Sequence, residues 1–439
     1  MAQTQSFQNI FKVPELKRKI LFTVGMLIVF RLGVHITSPG IDYRVLAEFF
    51  STQKGTLFGM YDMFVGGALG RAAIFALGIM PYISSSIIFQ LVTSVFPYFE
   101  KLQKEGAEGR KKITQYTRYG TIFISLVQSY GISIWLETQV PNAITMGTGI
   151  GFMMVTVLTL TTGAVFVMWL GEQITERGIG NGMSLLIFFG IVEGLPSAIF
   201  RSIGLWQNDI LGTITILLVI ILIVLVVAGV IFMTMGHRRI PIQIPRKIVG
   251  RKVYGGQQTH IPLRVNSAGV MPIIFAQSII IFPGTLSTFF PGIPWLEGFS
   301  NLFQVGSPIY LFLYTLMIVF FTYFYTAIIF NPIDVAENMK RQGGYIPGIR
   351  PGSKTADYID RILTRITLPG SIFLAAIAIL PMYLITKLNV PFYFGGTGLL
   401  IVVGVALDTI QQMESHLLLR HYDGFLKKGR IRGRRSFGG

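Results

Sequence analysis

Ten stretches of 17 to 25 residues, each overwhelmingly apolar, recur along this chain, at 20–36, 72–96, 116–136, 151–170, 182–200, 212–235, 267–290, 309–330, 366–386 and 397–413. About 20 such residues cross about 30 Å of hydrocarbon as a helix, and only helices or closed barrels satisfy their own backbone groups there. The expected fold is an all-α polytopic membrane protein with about ten transmembrane helices. Composition agrees, since 51% of the 439 residues are hydrophobic and 13% are charged, about half the charged share of a soluble chain. Pro81 and Pro196 fall inside the second and fifth stretches.

The charges give the orientation. Lys and Arg number 37 against 20 Asp and Glu, for a net charge of +17. With an even number of spans both termini share one side, and 31 of the basic residues fall there. Five (Arg44, Lys54, Arg71, Arg201 and Lys387) fall on the other, and Arg31 lies within the first span. Basic residues accumulate in cytoplasmic loops, so both termini are expected in the cytoplasm. The acids do not undo this, with twelve on the cytoplasmic side, seven outside and Asp408 within the last span. The first span follows Lys17, Arg18 and Lys19 with no small-residue cleavage signature after it, and is expected to remain as a helix.

The excess positive charge is thus a face, suited to anionic lipid headgroups or acidic cytosolic partners. Two cytoplasmic loops, 236–266 and 331–365, are longer than ordinary connections. The first holds seven basic residues and no acid, with turn formers Pro241, Pro245, Gly250, Gly255 and Gly256 among strand-forming residues. It reads as a projecting hairpin. A basic tail follows at 427–435, KKGRIRGRR, whose charge and glycines favour a solvated segment.

Several function classes drop out. Cys is absent and the five His form no paired ligand motif, so no metal or other cofactor site is expected. No GxxxxGK[ST] loop occurs. An intramembrane hydrolase needs paired Asp or a Ser/His arrangement at one depth, whereas His35 and Asp408 lie at opposite depths; the chain does not read as an enzyme. Ion-coupled transporters keep ionisable groups in mid-membrane, and only Arg31 and Asp408 qualify. A conduit for large substrates and a multispan secondary transporter or lipid flippase both stay open on these grounds.

One segment does not read as an ordinary span. Residues 57–78, LFGMYDMFVGGALGRAAIFALG, carry Gly59, Gly66, Gly67, Gly70, Asp62 and Arg71 in an otherwise apolar run. A re-entrant piece fits better than a lipid-facing helix. Irregular backbone at membrane depth is tolerated only where it is buried in protein or lines a cavity, so a short helix here would act as a plug. Ile79, Ile83 and Ile87 follow at spacings of four and share a helical stripe; periodicity by itself assigns such a stripe to packing.

Six longer motifs carry a resemblance. They are IFALGIMPYISSSII from Ile74, KEGAEGRKKITQYTRYGT from Lys104, MWLGEQITERGIGNG from Met168, THIPLRVNSAGVMPIIFAQSIIIFP from Thr259, NPIDVAENMKRQGGYIPGIRPG from Asn331 and VPFYFGGTGLLIVV from Val390. From about residue 16 to 422 the chain resembles the SecY family, the channel-forming subunits of bacterial Sec translocons. That resemblance implies ten transmembrane helices in two pseudo-symmetric halves of five, 1–204 and 205–439, with a re-entrant plug helix at about 58–71. It implies a pore ring of Ile79, Ile83, Ile187, Ile274 and Ile401, and a plug including Tyr61, Phe64, Gly67 and Leu69. A lateral gate would run between spans two and three and spans seven and eight, with Ser84, Gln90, Asn181, Ser278 and Phe282 in its region. For Asn181, local capping of the GIGNG turn is an equally good reading.

The same resemblance makes Arg251, Lys252 and Arg350 contact candidates for the SecA motor or the ribosome. It implies SecE and SecG as partner subunits, signal peptides and unfolded preproteins as cargo, anionic lipids as surroundings, and the bacterial plasma (inner) membrane as location. No specific nucleic-acid sequence is implied. Position 278 is Ser and position 252 is Lys, so neither a fully hydrophobic ring nor a strict Arg pair is assumed.

Overall fold

A computed structural model describes residues 13–52, 57–208, 212–243, 247–249, 252–254, 258–289, 307–388 and 396–428. Its helices are α1 (Pro14–His35), α2 (Tyr43–Thr52), α3 (Leu57–Phe64), α4 (Met80–Val95), α5 (Pro97–Lys104), α6 (Ala107–Gln139), α7 (Ile150–Arg177), α8 (Gly182–Gln207) and α9 (Thr213–Met235). After a strand region come α10 (Met271–Phe289), α11 (Pro308–Ile329), α12 (Pro332–Arg341), α13 (Ser353–Leu388) and α14 (Gly396–Lys428).

Local chemistry sets many of these ends. Pro occupies the first turn of α1, α4, α5, α11 and α12, where its missing N–H costs nothing. The side chains of Asn181, Ser307 and Asn331 cap α8, α11 and α12 by accepting from backbone N–H groups in the first turn of each helix. Helix α6 starts after Gly106, held at φ +79, where a side chain would be strained.

By length and apolar composition six helices among the described residues can cross a membrane: α6, α7, α8, α9, α11 running on into α12, and α13. Counting the bent pair α4 and α5 as one span makes seven. The ten expected spans are therefore not all reached by this measure. The first, α1, is helical but carries Lys17, Arg18, Lys19 and Arg31 within it. The second begins later than the hydropathy suggested: residues 65–79 are turns, because Gly66, Gly67 and Gly78 adopt positive φ and Ala72 is held at φ +42. Helix therefore starts only at Met80, and at Phe96 the chain turns by 97° into α5.

The contacts form a bundle. On the amino-terminal side α6 packs between α4 and α7, and α7 also meets α1 and α8. On the carboxyl-terminal side α11 packs against α10 and α13, while α14 meets α9 and α13. Contacts between the two groups run through α4 with α10, α6 with α10, and α8 with α14. Helix α9 is apolar almost throughout and buries only Val226, Val230 and Thr234; an all-round apolar helix this exposed is built for a lipid or protein neighbour.

The loop 236–266 is the expected hairpin. Strand β1 (His237–Gln243) pairs antiparallel with β4 (Gln258–Arg264), and β2 (Lys247–Val249) pairs with β3 (Lys252–Tyr254). The loop 331–365 is more ordered than a connection, consisting of α12, a turn and the start of α13. Gln243 and Tyr345 exchange backbone hydrogen bonds of 2.9 and 3.0 Å, and the Tyr345 hydroxyl donates to Gln243 Oε1 at 3.0 Å. Ile240, Ile242, Leu263, Met339, Ile346, Ile359 and Leu363 form a separate small core beneath this junction. At 36 residues, α13 is about 54 Å long, more than a bilayer core requires, so it carries this strand-and-helix unit and a membrane span on one axis.

Candidate functional site

The five isoleucines come from four helices. Ile79 caps α4 and Ile83 lies in its first turn, while Ile187 belongs to α8, Ile274 to α10 and Ile401 to α14. All are buried, with at most 5% of their surface exposed, and all belong to one hydrophobic core. Helix α10 touches both α4 and α14, and α14 touches α8. None of the five faces the outside of the bundle.

Beside this core sits the segment expected to form the plug. Helix α3 contacts α8 and α10. Tyr61, Phe64 and Leu69 are buried, and the Tyr61 hydroxyl donates to the Leu77 carbonyl at 3.0 Å, tying α3 to the turns before α4. Asp62 organises the first turn: its Oδ1 accepts from Gly70 N at 2.8 Å and its backbone carbonyl accepts from Gly67 N at 2.8 Å. Gly67 sits at φ +74, which explains a glycine there. The following residues join the end of α1 through Ser38 N to Ala72 O (2.8 Å) and Ile74 N to Ile36 O (2.9 Å).

Close approach to α8 depends on a second glycine. A Cβ at Gly190 would lie 2.8 Å from Phe64 O and 3.1 Å from Gly66 N, both plug backbone atoms. Met63 reaches α14, its Cε 3.7 Å from where a Cβ at Gly398 would stand. The plug is thus seated by backbone contact as well as by side chains.

The residues expected at the gate divide. Ser84 and Gln90 are half-buried on α4, and Ser278 is buried on α10, where its hydroxyl donates to Ile274 O at 2.7 Å. Gln90 Nε2 donates to Ser86 Oγ at 3.1 Å, while its Oε1 is buried with no hydrogen-bond partner among the described residues. Phe282 belongs to α10, but its side chain lies outside the described residues. Asn181 stands apart from this group: it is exposed, and its Oδ1 accepts from Met183 N (3.1 Å) and Ser184 N (3.3 Å) at the start of α8. That is the local capping role.

Sequence reading missed several polar groups in the interior. Gln128 on α6 and Gln277 on α10 are 3% and 1% exposed, and both have a buried amide oxygen without a hydrogen-bond partner among the described residues. Tyr310 and Tyr314 on α11 are fully buried and stacked; the Tyr310 hydroxyl lies beside Gln277, and the Tyr314 hydroxyl has no hydrogen-bond partner among the described residues. A lone Gln within an apolar run, as in SLVQSYG and IFAQSII, was the available signal. Arg118 and Glu172 form a bidentate pair of 2.8 and 2.9 Å between α6 and α7. Arg31 pairs with Glu193 of α8, an acid that hydropathy assigns to the outer side.

On the unit built from the hairpin and α12, Arg350 is exposed in the turn preceding α13, and its carbonyl accepts from Thr355 Oγ1 at 2.9 Å. Lys252 opens β3 opposite Val249. Arg251 lies outside the described residues.

A multi-span helical bundle whose apolar centre packs against a short, turn-rich segment enclosed by protein has the build of a membrane channel. Comparison with known proteins gives the family. The SecY family model matches residues 73–410. Protein translocase subunit SecY of Escherichia coli K12 is 48% identical over 427 residues, covering 95% of this chain and 96% of that protein. The Aquifex aeolicus subunit is 45% identical over 429 residues, covering 97% and 100%.

Among solved structures, a protein-conducting channel shares the fold with a TM-score of 0.65 at 15% identity, covering 95% of each chain. Sec61 in a canine ribosome–channel complex does so at 0.62 and 15%, again covering 95% of each. The chain belongs to the SecY family.

Proposed function

We propose that this chain is the protein-conducting channel of a bacterial Sec translocon, passing unfolded preproteins across the membrane and releasing apolar segments sideways into lipid. The observation that carries this reading is the burial of all five ring isoleucines in one core against a seated plug. Isoleucine offers no hydrogen-bond partner to water or ions, so a ring of it closes by dewetting, yet it yields to any sliding chain whatever its sequence. The channel needs no catalysis of its own, and the driving energy comes from a partner.

The energetics suit both exits. An Asp, Lys or Arg at mid-bilayer costs about 2.5 to 3.5 kcal/mol, which an aqueous passage removes. Each Leu, Ile, Phe or Val gains about 0.3 to 0.6 kcal/mol in lipid, so a signal core of ten gains several. The contacts of α10 with α4 and α6 are the seam that would part; Ser84 and Gln90 belong to α4, and Ser278 and Phe282 to α10. Interhelical hydrogen bonds in membranes average well under about 2 kcal/mol, weak enough for reversible opening.

In this reading the protein lies in the bacterial inner membrane in two pseudo-symmetric halves with both termini cytoplasmic. It works with SecE and SecG, and its cytoplasmic unit receives the SecA motor or the ribosome through Arg350, Arg251 and Lys252. The basic face contacts anionic lipid. Reconstituted with its partner subunits in a planar bilayer, the channel should conduct ions on addition of a signal peptide, and without it once residues 57–67 are deleted. Stoichiometric flux of a small solute in place of conductance would return the chain to the transporter or flippase class. A photoreactive side chain at position 83 or 274 should cross-link a stalled preprotein, whereas one at the exposed Ile28 should not.

A further inference from the structure

One short turn gathers three helices. GIGNG at 178–182 joins α7 to α8, and three of its backbone N–H groups donate to side chains of three different helices. Ile179 N donates to Thr23 Oγ1 of α1 at 3.1 Å, Gly180 N to Gln412 Oε1 of α14 at 2.9 Å, and Gly182 N to Thr175 Oγ1 of α7 at 2.9 Å. The glycines make these approaches possible. A Cβ at Gly178 would collide with Thr23 Oγ1, one at Gly182 would collide with the Gly171 carbonyl, and one at Gly180 would stand 3.2 Å from Thr409 Oγ1. Ile179 is buried in the same place with Leu16, against Ile20, Met413 and Leu417.

The bond to Gln412 joins residues 232 positions apart and stands at one end of the contact between α8 and α14. Two close approaches define the register there. Gly180 meets Thr409, and a Cβ at Gly398 would lie 3.3 Å from Ile191 Cγ2. Eleven residues separate Gly180 from Ile191, and eleven separate Gly398 from Thr409, so the two helices run antiparallel and rise equally between the contacts. In that register Ile187 is level with Val402, one position from Ile401, and both isoleucines are buried in the one core. Apolar side chains hold two helices together but specify their axial position weakly, whereas a single polar position fixes it.

We propose that Gln412 is a positioning residue for the pore ring: its bond to Gly180 fixes how far α14 is drawn along α8, and so keeps Ile401 level with Ile187. This rests on the channel reading. Gln412 is itself exposed and stands about 16 Å along α14 from Ile401, so it acts through the helix and not by touching the ring. A slip of one residue would carry Ile401 about 1.5 Å out of level, and a gasket that seals by dewetting leaks when one of its members moves.

The chain contains no Cys, so Ile191→Cys with Gly398→Cys gives a register reporter, read as disulfide yield on mild oxidation; the smaller side chain at 191 leaves room for the thiol at 398. In that background Gln412→Leu should lower the yield about threefold or more, and in the channel without added Cys it should raise resting ion conductance several-fold. Gln412→Glu keeps the acceptor oxygen and should restore both. Thr23→Val removes the bond that α1 makes to the same turn and should move neither, which separates register from support of the turn. Should Gln412→Leu not insert, Gln412→Asn, one methylene too short to reach Gly180, should show the same two shifts.

Unchanged yield and conductance in Gln412→Leu would overturn the proposal. So would equal shifts from Thr23→Val, failure of Gln412→Glu to restore them, or a fall in yield with no change in conductance. Failure of the unaltered channel to open with a signal peptide would instead overturn the channel reading, while the disulfide still reports the register of α14 on α8.

Discussion

Replacing Gly190 by Ala should unseat the plug. The new methyl carbon would stand 2.8 Å from Phe64 O and 3.1 Å from Gly66 N, against an ordinary contact of about 3.5 Å or more. Both obstacles are backbone atoms of the plug, so no side chain can rotate away, and α8 is held in the bundle by α7 and α14. The plug must withdraw by several tenths of an ångström. Overpacking of this kind costs about 1–3 kcal/mol, and a loss of that size in the seated state raises the unseated population about 5- to 150-fold.

Single-channel recording in planar bilayers reads this directly as resting openings without a signal peptide. Gly194→Ala is the matched control, one turn further along α8 with nothing within 4 Å of the added carbon. Helix propensity favours Ala over Gly equally at both sites, so only the contact differs. Equal resting conductance in the two variants would refute the reasoning, as would a Gly190→Ala channel that stays shut while its thermal stability falls.

Other changes have defined outcomes. Gln90→Leu removes a buried unpartnered carbonyl at the expense of one hydrogen bond to Ser86, and should stabilise the closed bundle by about 1 kcal/mol; unchanged export of proteins with weakened signals would count against it. Asn181→Ala should cost about 1 kcal/mol by loss of the α8 cap, and Asn181→Ser should restore it; a gating defect persisting in the Ser variant would return Asn181 to the gate. Arg350→Glu reverses an exposed charge and should impair motor- or ribosome-driven export at unchanged thermal stability. Normal export by that variant would remove Arg350 from the partner-binding surface.

Much of the architecture was legible because it depends on solvent. Apolar runs of span length mark helices wherever they occur in the chain, and the glycines and charges of 57–78 marked the one piece that does not behave so. There the hydropathy misled on extent: Phe75, Ala76 and Leu77 are as apolar as any span residue and fully or almost fully buried, yet they lie in turns, because positive φ at Gly66, Gly67 and Gly78 folds the chain back before α4 can start. The hairpin in 236–266 was readable from its turn formers. Its union with Tyr345, 102 positions away from Gln243, was not, since nothing local in either loop specifies the other.

The candidate site divides in the same way. Resemblance supplied the five isoleucines, whereas spacing gave only a packing stripe of Ile79, Ile83 and Ile87. No local pattern joins Arg31 to Glu193, or leaves Gln90 Oε1 and Gln128 Oε1 without partners among the described residues. The sequence alone determined that this chain enters a membrane with a basic face and an irregular, glycine-rich piece among its spans, because transfer between water and lipid acts on each segment separately. Only the tertiary structure decided which interior charges meet and how closely the plug can approach α8. Those outcomes depend on how each helix is rotated and on the space a missing side chain leaves at Gly190.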